Sequence, residues 1–323
     1  MTRKFFGSLL ILSALCLSGC GGDSGGGSTS VPPVTPTPTP APTPTPTPTP
    51  TYAIALDFTQ LSTSHARGVE VSTPQDWNPP TGFVATYSDP ILNTANDAAE
   101  MTYDPSVESF LFRFGTDAVG SSKADIVSQD VDSRTYSHAY NGGRSLIKIY
   151  RPRANFEYVN VLKQLRNYNN GGVQLNHINR YITYGSETRL DDTPKVGSSS
   201  YSVGFAASLA NIGDGDDLGG SGSLDVNFDT GVVSGSIPLD QITPISPVTD
   251  IHLVIKFTGT YSSVTNDFSG HISSSDGSVS GDFTGKLYGP KGAELGIIFF
   301  LKDGMDTSKA HTRIVGALFG KNS

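Results

Sequence analysis

Short alternating segments separated by turn residues fill the chain from Ser198 to its C-terminus, and their spacing limits the fold more than any other feature. The turns have hairpin chemistry, with Asp229-Thr230-Gly231 and Asp276-Gly277 as the clearest examples, joined by Asn266-Asp267 and Asp303-Gly304. Even spacing without a convincing helix predicts an up-and-down barrel or a sandwich. The candidate strands are Tyr201–Leu209, Ser223–Phe228, Val232–Leu239, Ile251–Tyr261, Phe268–Ser273, Ser278–Tyr288, Leu295–Leu301 and Ile314–Phe319.

Glycine recurs inside these candidate strands, and this favours the barrel over the sandwich. Interior glycine weakens a flat strand but suits the sharp bends and close backbone approaches of a small barrel. Closure of the barrel also removes the exposed strand edges. We therefore predict an eight-stranded antiparallel barrel over residues 195–323. The interior glycines are Gly204, Gly235, Gly259, Gly270, Gly281, Gly285 and Gly316.

The region 51–194 is also predicted to be rich in β-structure, so the chain as a whole is mainly β. Its strand-like pieces are Phe110–Phe114, Ser145–Tyr150 and Tyr181–Tyr184. The pattern of Phe156–Leu165 fits either a short helix or a strand.

Residues 20–50 form a tether of two compositions. Gly21–Ser30 is almost entirely Gly and Ser, which is typical of flexible coil, and Val31–Pro50 is a Thr-Pro repeat. Proline lacks the N–H donor that helices and sheets need, so the repeat is predicted to be a polyproline II spacer of roughly 60 Å at about 3.1 Å per residue. The alternative is an unstructured joint of no particular length.

The N-terminus, residues 1–19, has the layout of a secretory signal peptide. Arg3 and Lys4 precede the apolar run Phe5–Leu17, which is shorter than the roughly 20 residues that a spanning helix needs. Leu17-Ser18-Gly19-Cys20 resembles the lipobox of bacterial lipoproteins. The resemblance implies cleavage before Cys20, acylation of that residue with chains such as palmitate, and attachment to the outer membrane. The alternative is ordinary secretion with a free Cys20 thiol.

Charge and cysteine content exclude several classes of protein. The chain has 22 basic and 30 acidic residues, a formal net charge of -8, and no basic stripe, which argues against nucleic acid and against electrostatic adhesion to membranes. Its two cysteines are Cys16, inside the signal peptide, and Cys20. The mature chain is therefore predicted to fold without a disulfide.

The sequence indicates a non-enzymatic protein. No combination of nucleophile, base and acid stands in a recognisable catalytic motif, and the six histidines lack metal-ligand spacing. Three sequence features allow both a functional and a structural interpretation. The cluster Tyr136–Tyr140, with His138, could supply a haem ligand or be a polar β-segment. Asp214–Gly219, with Asp225, partly matches an EF-hand loop, although an acidic turn between barrel strands fits better. Trp77 is either a binding anchor or a packed loop residue.

Three segments resemble the transferrin-binding-protein-B-like (TbpB-like) family of β-barrel surface lipoproteins. They are Gly285–Gly296, which matches the family's closing signature, Ile314–Lys321, which matches its terminal strand, and Gly222–Gly235. Leu287 and Ile297 depart from the signature, which often has Phe and Gly there. The resemblance implies a β-rich handle domain over 51–194 that precedes the barrel. The residues that carry the motif, interpreted as architectural, are Gly285, Tyr288, Gly289, Pro290, Glu294, Gly316, Phe319 and Gly320.

The same resemblance implies a function. We expect a lipid-anchored protein on the outer face of the outer membrane, exported by a surface-lipoprotein translocon, which binds a host or environmental ligand. By family analogy that ligand is an iron- or haem-carrying protein. We expect no cofactor, with haem or an iron carrier as the alternative. The alternative is an adhesin or carbohydrate-binding module of the envelope without a role in nutrient uptake. The sequence leaves the ligand-binding residues unknown.

Overall fold

The computed structural model describes residues 51–54, 62–72, 88–93, 99–130, 133–140, 143–150, 156–169, 175–209, 216–241, 252–303 and 312–323. These residues form strands joined by turns, with two short 3-10 turns at Lys123–Asp125 and Pro290–Gly292. Within them, no helix has the length and apolar character that crossing a bilayer requires. The signal peptide, Cys20, the tether and Trp77 lie outside the described residues.

The first ten strands form one antiparallel sheet, called the handle sheet below. Its spatial order is β5-β4-β3-β1-β10-β9-β8-β7-β6, and β2 pairs with β1 beside this path. The strands are β1 (Ser62–Ser72), β2 (Ile91–Asn93), β3 (Ala99–Asp104), β4 (Ser109–Phe114), β5 (Asp117–Ser121), β6 (Ile126–Gln129), β7 (Ser133–Tyr140), β8 (Gly143–Tyr150), β9 (Val159–Asn169) and β10 (Leu175–Gly185).

Strand β1 organises the handle sheet because its two halves have different neighbours. Residues 62–65 pair with β3, whereas residues 66–72 pair with β10. Apolar side chains of strands from both arms of the sheet meet in one buried core, so the sheet curls around it. The core residues are Ala66, Ala99, Met101, Tyr103, Phe110, Phe112, Phe114, Val119, Tyr136, Ile147, Ile149, Leu162, Ile182 and Tyr184.

A buried charge cluster links the two arms of the curled sheet. Arg180 on β10 donates to Glu70 on β1 (Nε to Oε2, 2.8 Å), to Asp117 on the edge strand β5 (Nη1 to Oδ2, 3.1 Å) and to Gln164 (Nη1 to Oε1, 2.7 Å). Its guanidinium also lies 4.2 Å from the ring centre of Phe114. Burial opposes ionisation of Asp117, but Arg166 and Arg180 together hold the pKa of that carboxyl below its usual value.

The remaining eight strands form a closed antiparallel barrel in which each strand pairs with its neighbours in sequence. The barrel closes where the first of these strands pairs with the last. The predicted mainly-β fold, with a β-rich handle-like region followed by an eight-stranded barrel, is confirmed. The strands are β11 (Ser198–Leu209), β12 (Asp216–Asn227), β13 (Val232–Gln241), β14 (His252–Ser262), β15 (Asp267–Ser274), β16 (Val279–Tyr288), β17 (Glu294–Asp303) and β18 (Arg313–Asn322).

Side chains fill the interior of the barrel, as expected where eight strands close on themselves. Aromatic rings dominate it, with Phe257 packed edge-on against Phe283 at 5.3 Å and Phe299 at 6.2 Å between ring centres. Gly259 and Gly270 face each other across β14 and β15. A Cβ on either glycine would lie 2.6–2.8 Å from the Phe283 ring, so both positions make room for that ring.

One prediction about secondary structure needs correction, and one ambiguous segment is resolved. The second barrel strand begins at Asp216, not at Ser223, so Asp216–Gly219 is strand and not part of an acidic turn. The strand was hidden because its first half contains glycines and charged residues, among them Asp217, whose carboxylate pairs with Lys163 of the handle sheet. The ambiguous segment Phe156–Leu165 resolves as a strand from Val159 onward.

Candidate functional site: the junction between handle sheet and barrel

Most of the motif residues predicted from the sequence lie where the handle sheet packs on the outside of the barrel. The apolar centre of this junction joins Val69, Val71, Val161 and Tyr181 of the handle sheet to barrel side chains of β17 and β18, and every one of these residues is fully buried. The barrel side chains are Ile298, Val315 and Ala317. The handle sheet and barrel therefore share a hydrophobic core of their own.

The side-chain carboxylate of Glu294, the first residue of β17, binds backbone N–H groups at the entry to the handle sheet. Its Oε1 accepts the N–H of Glu157 at 2.8 Å, and its Oε2 accepts those of Tyr158 at 2.9 Å and Val159 at 2.8 Å. The side chain is 1% exposed. Burial raises the pKa of Glu294, although the three N–H donors and the charge of Lys321 act in the opposite direction. One carboxylate thus satisfies three successive backbone donors at the start of β9.

Two other motif residues, Phe319 and Gly289, contact the same segment of the handle, around residues 156–158. Phe156 packs edge-on against Phe319 at 5.4 Å between ring centres. The ring of Tyr158 approaches Gly289 so closely that a Cβ there would lie 2.3 Å from it. Since Gly289 also has φ +71, this position requires glycine for its backbone as well as for its contact.

The other motif residues support the junction from the barrel side. Tyr288 is fully buried and forms an isolated β-bridge with Glu187, and Pro290 begins the short 3-10 turn before Glu294. A Cβ on Gly285 would meet Gly296 O and Ile297, one on Gly316 would meet Ala207 and Phe299, and one on Gly320 would meet Val203 and Leu295. The neighbours of these three glycines are residues of the barrel, so the glycines serve barrel packing.

Charged pairs surround the apolar centre of the junction. Arg67 of β1 pairs with Asp267 of the barrel, and Lys286 lies 2.9 Å from Glu187. On the other side, Asp89 accepts from Lys302 and Arg313, each at 3.2 Å. Arg67, Lys286 and Arg313 are each at most 6% exposed, so these cations depend on their partners.

A buried hydroxyl network lies next to this centre. Tyr181 shares a hydrogen bond of 2.8 Å with Ser208 of β11. Burial raises the pKa of Tyr181 and of its hydrogen-bonded neighbour Tyr150 well above the usual range. Both phenols therefore stay neutral and act as structural hydrogen-bonding groups. A phenol whose pKa is raised in this way is not suited to acid–base chemistry near neutral pH.

Replacing Gly289 by alanine is expected to destabilise the protein much more than replacing Gly277, although both glycines have a positive φ, +71 and +74. Alanine is strained at both positions because of the positive φ, so this cost is common to the two variants. Only the Cβ at 289 collides with Tyr158, whereas nothing lies within 4 Å of a Cβ at 277. Urea unfolding of Gly289→Ala and Gly277→Ala measures the difference. Equal losses would contradict the proposed close contact between Gly289 and Tyr158.

Of the other sites considered from the sequence, Trp77 and Asp214 lie outside the described residues, and the described ones do not come together in a reactive centre. Tyr136 is buried in the handle core, where its hydroxyl accepts from Arg134 at 3.4 Å, and His138 lies 3.3 Å from Asp125. Asp225 is an exposed residue within strand β12. In the part of the chain that the structure describes, no group of three or more His, Cys, Asp or Glu residues could hold a metal ion.

Sequence reasoning missed the handle-sheet half of the junction. The three backbone donors at 157–159 carry no side-chain signature, because an N–H group is common to almost every residue. Lys163 and Tyr181 are more informative in retrospect. Each stands in a strand-like segment beside apolar neighbours, which signals that its side chain is covered by another part of the fold.

A search of solved structures finds the chain similar to transferrin binding protein B (TbpB). A double mutant of this vaccine antigen from Haemophilus parasuis Hp5 aligns with TM-score 0.47 and 16% identity, over 80% of this chain and 45% of that one. Intact Ap-TbpB, with its N and C lobes, aligns with TM-score 0.41 and 14% identity, over 84% and 77%. A single mutant of the Haemophilus parasuis Hp5 protein gives TM-score 0.39 and 12% identity, over 81% and 76%.

This chain thus spans less than half the length of the first of these structures. No family model and no curated protein matches it. At these identities, the similarity to TbpB structures is one of fold.

Proposed function

We propose that this protein is a lipid-anchored protein of the outer membrane, displayed at the cell surface, which binds a macromolecular ligand without catalysing a reaction. The observation that carries the binding role is the filled barrel joined to a second sheet, whereas the anchor rests on the lipobox resemblance that ends at Cys20. In the iron-acquisition form of the proposal, which rests on the sequence resemblance alone, the ligand is an iron- or haem-carrying protein.

The packed barrel core supports binding on the outside of the molecule. The core includes Phe257, Phe283 and Phe299, each at most 1% exposed, which occupy the space that a ligand-carrying barrel leaves open. Haem therefore has no place among these core residues. A ligand must contact the outer surfaces, and a stable contact there requires a partner large enough to bury about 800 Å² on each side.

The junction supports a partner that contacts handle sheet and barrel together. The handle sheet and the barrel are held together by a shared core, by the Glu294 carboxylate and by buried ion pairs. They therefore lose little conformational freedom when a ligand bridges them. A preorganised composite surface of this kind favours protein binding over chemistry, since none of the junction groups is aligned as nucleophile, base and acid.

Radiolabelled palmitate and protease treatment of intact cells test the anchor and its exposure. We expect the label in the wild-type protein and its absence in Cys20→Ser, because the acyl chains require that cysteine. Protease is expected to remove the folded domain of the wild-type protein from intact cells. Loss of the domain only after permeabilisation would contradict surface display.

Binding of iron-loaded and iron-free transferrin, and of haemin, to the purified protein tests the ligand class. Transferrin is the first probe because the TbpB structures named above carry it in their name. The iron-acquisition form predicts saturable binding of at least one probe and induction of the protein by iron starvation. If no probe binds and iron starvation does not induce the protein, the iron-acquisition form has no support. That result favours the second candidate function, described next.

One observation favours that second candidate, a carbohydrate-binding or adhesive envelope module. The outer wall of β13, β14 and β15 presents exposed hydroxyl groups in cross-strand neighbours, such as Ser234 with Thr258 and Thr260 with Ser269. Hydroxyl groups donate and accept hydrogen bonds, as polysaccharides require of a binding surface. Retention of the protein on purified envelope or host glycans, with no retention of a Ser234→Glu, Thr258→Glu variant, would establish this role.

A further inference from the structure

One end of the barrel lies entirely within the described residues. The linker 186–197, which joins the handle sheet to the barrel, crosses this end. The turns 228–231, 263–266 and 289–293 each connect two successive barrel strands at the same end. The linker and these three turns are together called the linker end below.

Hydrogen bonds hold the linker against the turns. The hydroxyl of Thr193 donates to Ser263 O at 3.0 Å, in the turn between β14 and β15. Farther along the linker, Gly197 O accepts the N–H of Phe228 at 2.8 Å, in the turn between β12 and β13. The linker end is therefore one connected surface, and it loses little conformational freedom when a partner binds to it.

Apolar side chains are concentrated in solvent at the linker end. Val264 and Val196, at 78% and 76% exposure, are the two most exposed large apolar residues in the part of the chain that the structure describes. Leu190 is 56% exposed, and Thr193, which also donates to Leu190 O at 2.9 Å, lies between it and the turn that carries Val264. Val232, at the start of β13, is 50% exposed. Exposed apolar side chains that cluster in this way mark an interaction surface.

Charges of both signs surround these apolar side chains in equal number. Glu187 is already paired, since it lies 2.9 Å from Lys286 at the junction with the handle sheet. The other charged residues of the linker end are the basic Arg189, Lys195 and Lys291 and the acidic Asp191, Asp192 and Asp229. A neutral surface of this kind has no preference for a strongly charged partner, but it can face a copy of itself with cations opposite anions.

We propose that the linker end is the contact surface between two copies of this protein, which pack end to end about a two-fold axis. A two-fold contact uses the same patch on both copies, so the patch must complement itself, as an apolar centre with a balanced charged rim does. This inference goes beyond the proposed function, because it requires neither the ligand nor the lipid anchor.

The size of the linker end sets the strength of the contact. Eight strands spaced about 4.8 Å apart and tilted by roughly 40° give a barrel radius of about 8 Å, so the end with its side chains measures roughly 500 Å². Two such ends bury roughly 1,000 Å² in total, which is near the lower limit for a specific interface. The dimer is therefore expected to be reversible, with a dissociation constant in the micromolar range.

Sedimentation equilibrium tests whether two copies associate. The sample is the chain from residue 20 onward with Cys20→Ser, so that neither a thiol nor a lipid contributes to association, and the tether is kept. We expect a monomer–dimer equilibrium between low micromolar and several hundred micromolar protein. A chain that stays monomeric over this range would overturn the proposal.

Single substitutions then locate the contact. Leu190→Glu and Val264→Glu should each raise the dissociation constant by roughly tenfold or more, because each places a charge in the apolar centre. The matched controls are Val127→Glu in β6 and Val254→Glu in β14, at 58% and 42% exposure, which should leave the dissociation constant unchanged. All four side chains are exposed, so each variant is expected to fold. Dimers that ignore both linker-end variants would place the contact elsewhere and overturn the proposal.

Charge reversal distinguishes a second copy from any other occupant of this surface. Lys195→Glu leaves two basic and four acidic residues around the apolar centre, and Asp191→Lys leaves four basic and two acidic residues. Each variant alone should associate more weakly than the wild type, whereas an equimolar mixture should form a one-to-one heterodimer. A mixture that associates no better than the separate variants would overturn the proposal. So would a monomeric wild-type chain that floats with phosphatidylcholine liposomes, because the apolar side chains would then serve a membrane.

Discussion

Replacing Glu294 by alanine is expected to lower the free energy of unfolding by about 3–5 kcal/mol, because three N–H groups, one buried and two partly buried, lose their acceptor and the loss of a buried one costs about 1–3 kcal/mol before relaxation. The groups are those of Glu157, Tyr158 and Val159, which belong to the handle sheet and its entry. For a domain of this size the melting temperature should fall by roughly 10 °C. Chemical and thermal unfolding measure both quantities.

Two further variants make the Glu294 prediction specific. Glu294→Gln keeps the shape and one acceptor oxygen, so its loss should be smaller, and it remains informative if Glu294→Ala fails to fold. Asp225→Ala removes an exposed acid from the same barrel and should change stability by less than about 0.5 kcal/mol. A Glu294→Ala protein as stable as Asp225→Ala would show that the carboxylate does not hold the handle sheet.

Replacing Arg180 by methionine is expected to destabilise the handle sheet by about 3–5 kcal/mol, the usual cost of removing one partner from a buried ion pair. The side chain is 3% exposed, and its loss leaves Glu70 and Asp117 without their shared cation. The matched control is Lys123→Met, since Lys123 and Glu108 form an exposed pair that should contribute less than about 1 kcal/mol. Equal effects would mean that solvent or Arg166 already compensates the two carboxylates.

The effect of Arg180→Met should depend on pH in a stated direction. Arg180 helps to hold the pKa of Asp117 below its usual value, so ionised Asp117 stabilises the folded state above the unfolded pKa of about 3.9. This contribution is lost as pH falls through the lowered folded pKa. The difference between wild type and Arg180→Met should therefore be largest near neutral pH and shrink below about pH 4, as measured by urea unfolding at each pH.

The barrel could be predicted from the sequence because all its pairings except the closing one, between β11 and β18, join consecutive strands. Consecutive strands are joined by short turns such as Asp276-Gly277, so alternation and turn residues alone indicate each hairpin. The handle sheet could be predicted only as strand-rich. Its central pairing places Glu70 beside Arg180, 110 positions later, and no local pattern specifies such a partner.

The junction shows the same limit at the level of single residues. The sequence indicates Glu294 as an acceptor of backbone donors or a partner of arginine, and the structure gives it the backbone donors. Their position could not be predicted, because Val159 lies 135 residues earlier and offers only a main-chain N–H. Cys20 as the lipidated residue stays a prediction, as do the domain boundaries and the family motif.

Thermal unfolding of the folded domain tests most directly whether the handle sheet and the barrel form one cooperative body. It is measured by scanning calorimetry and by two fluorescent labels, one at position 107 in the handle sheet and one at position 254 in the barrel. The shared core around Tyr181 and the Glu294 contact predict a single transition, coincident for both labels, with equal calorimetric and van't Hoff enthalpies. Two separate transitions, with the handle label melting before the barrel label, would contradict the account.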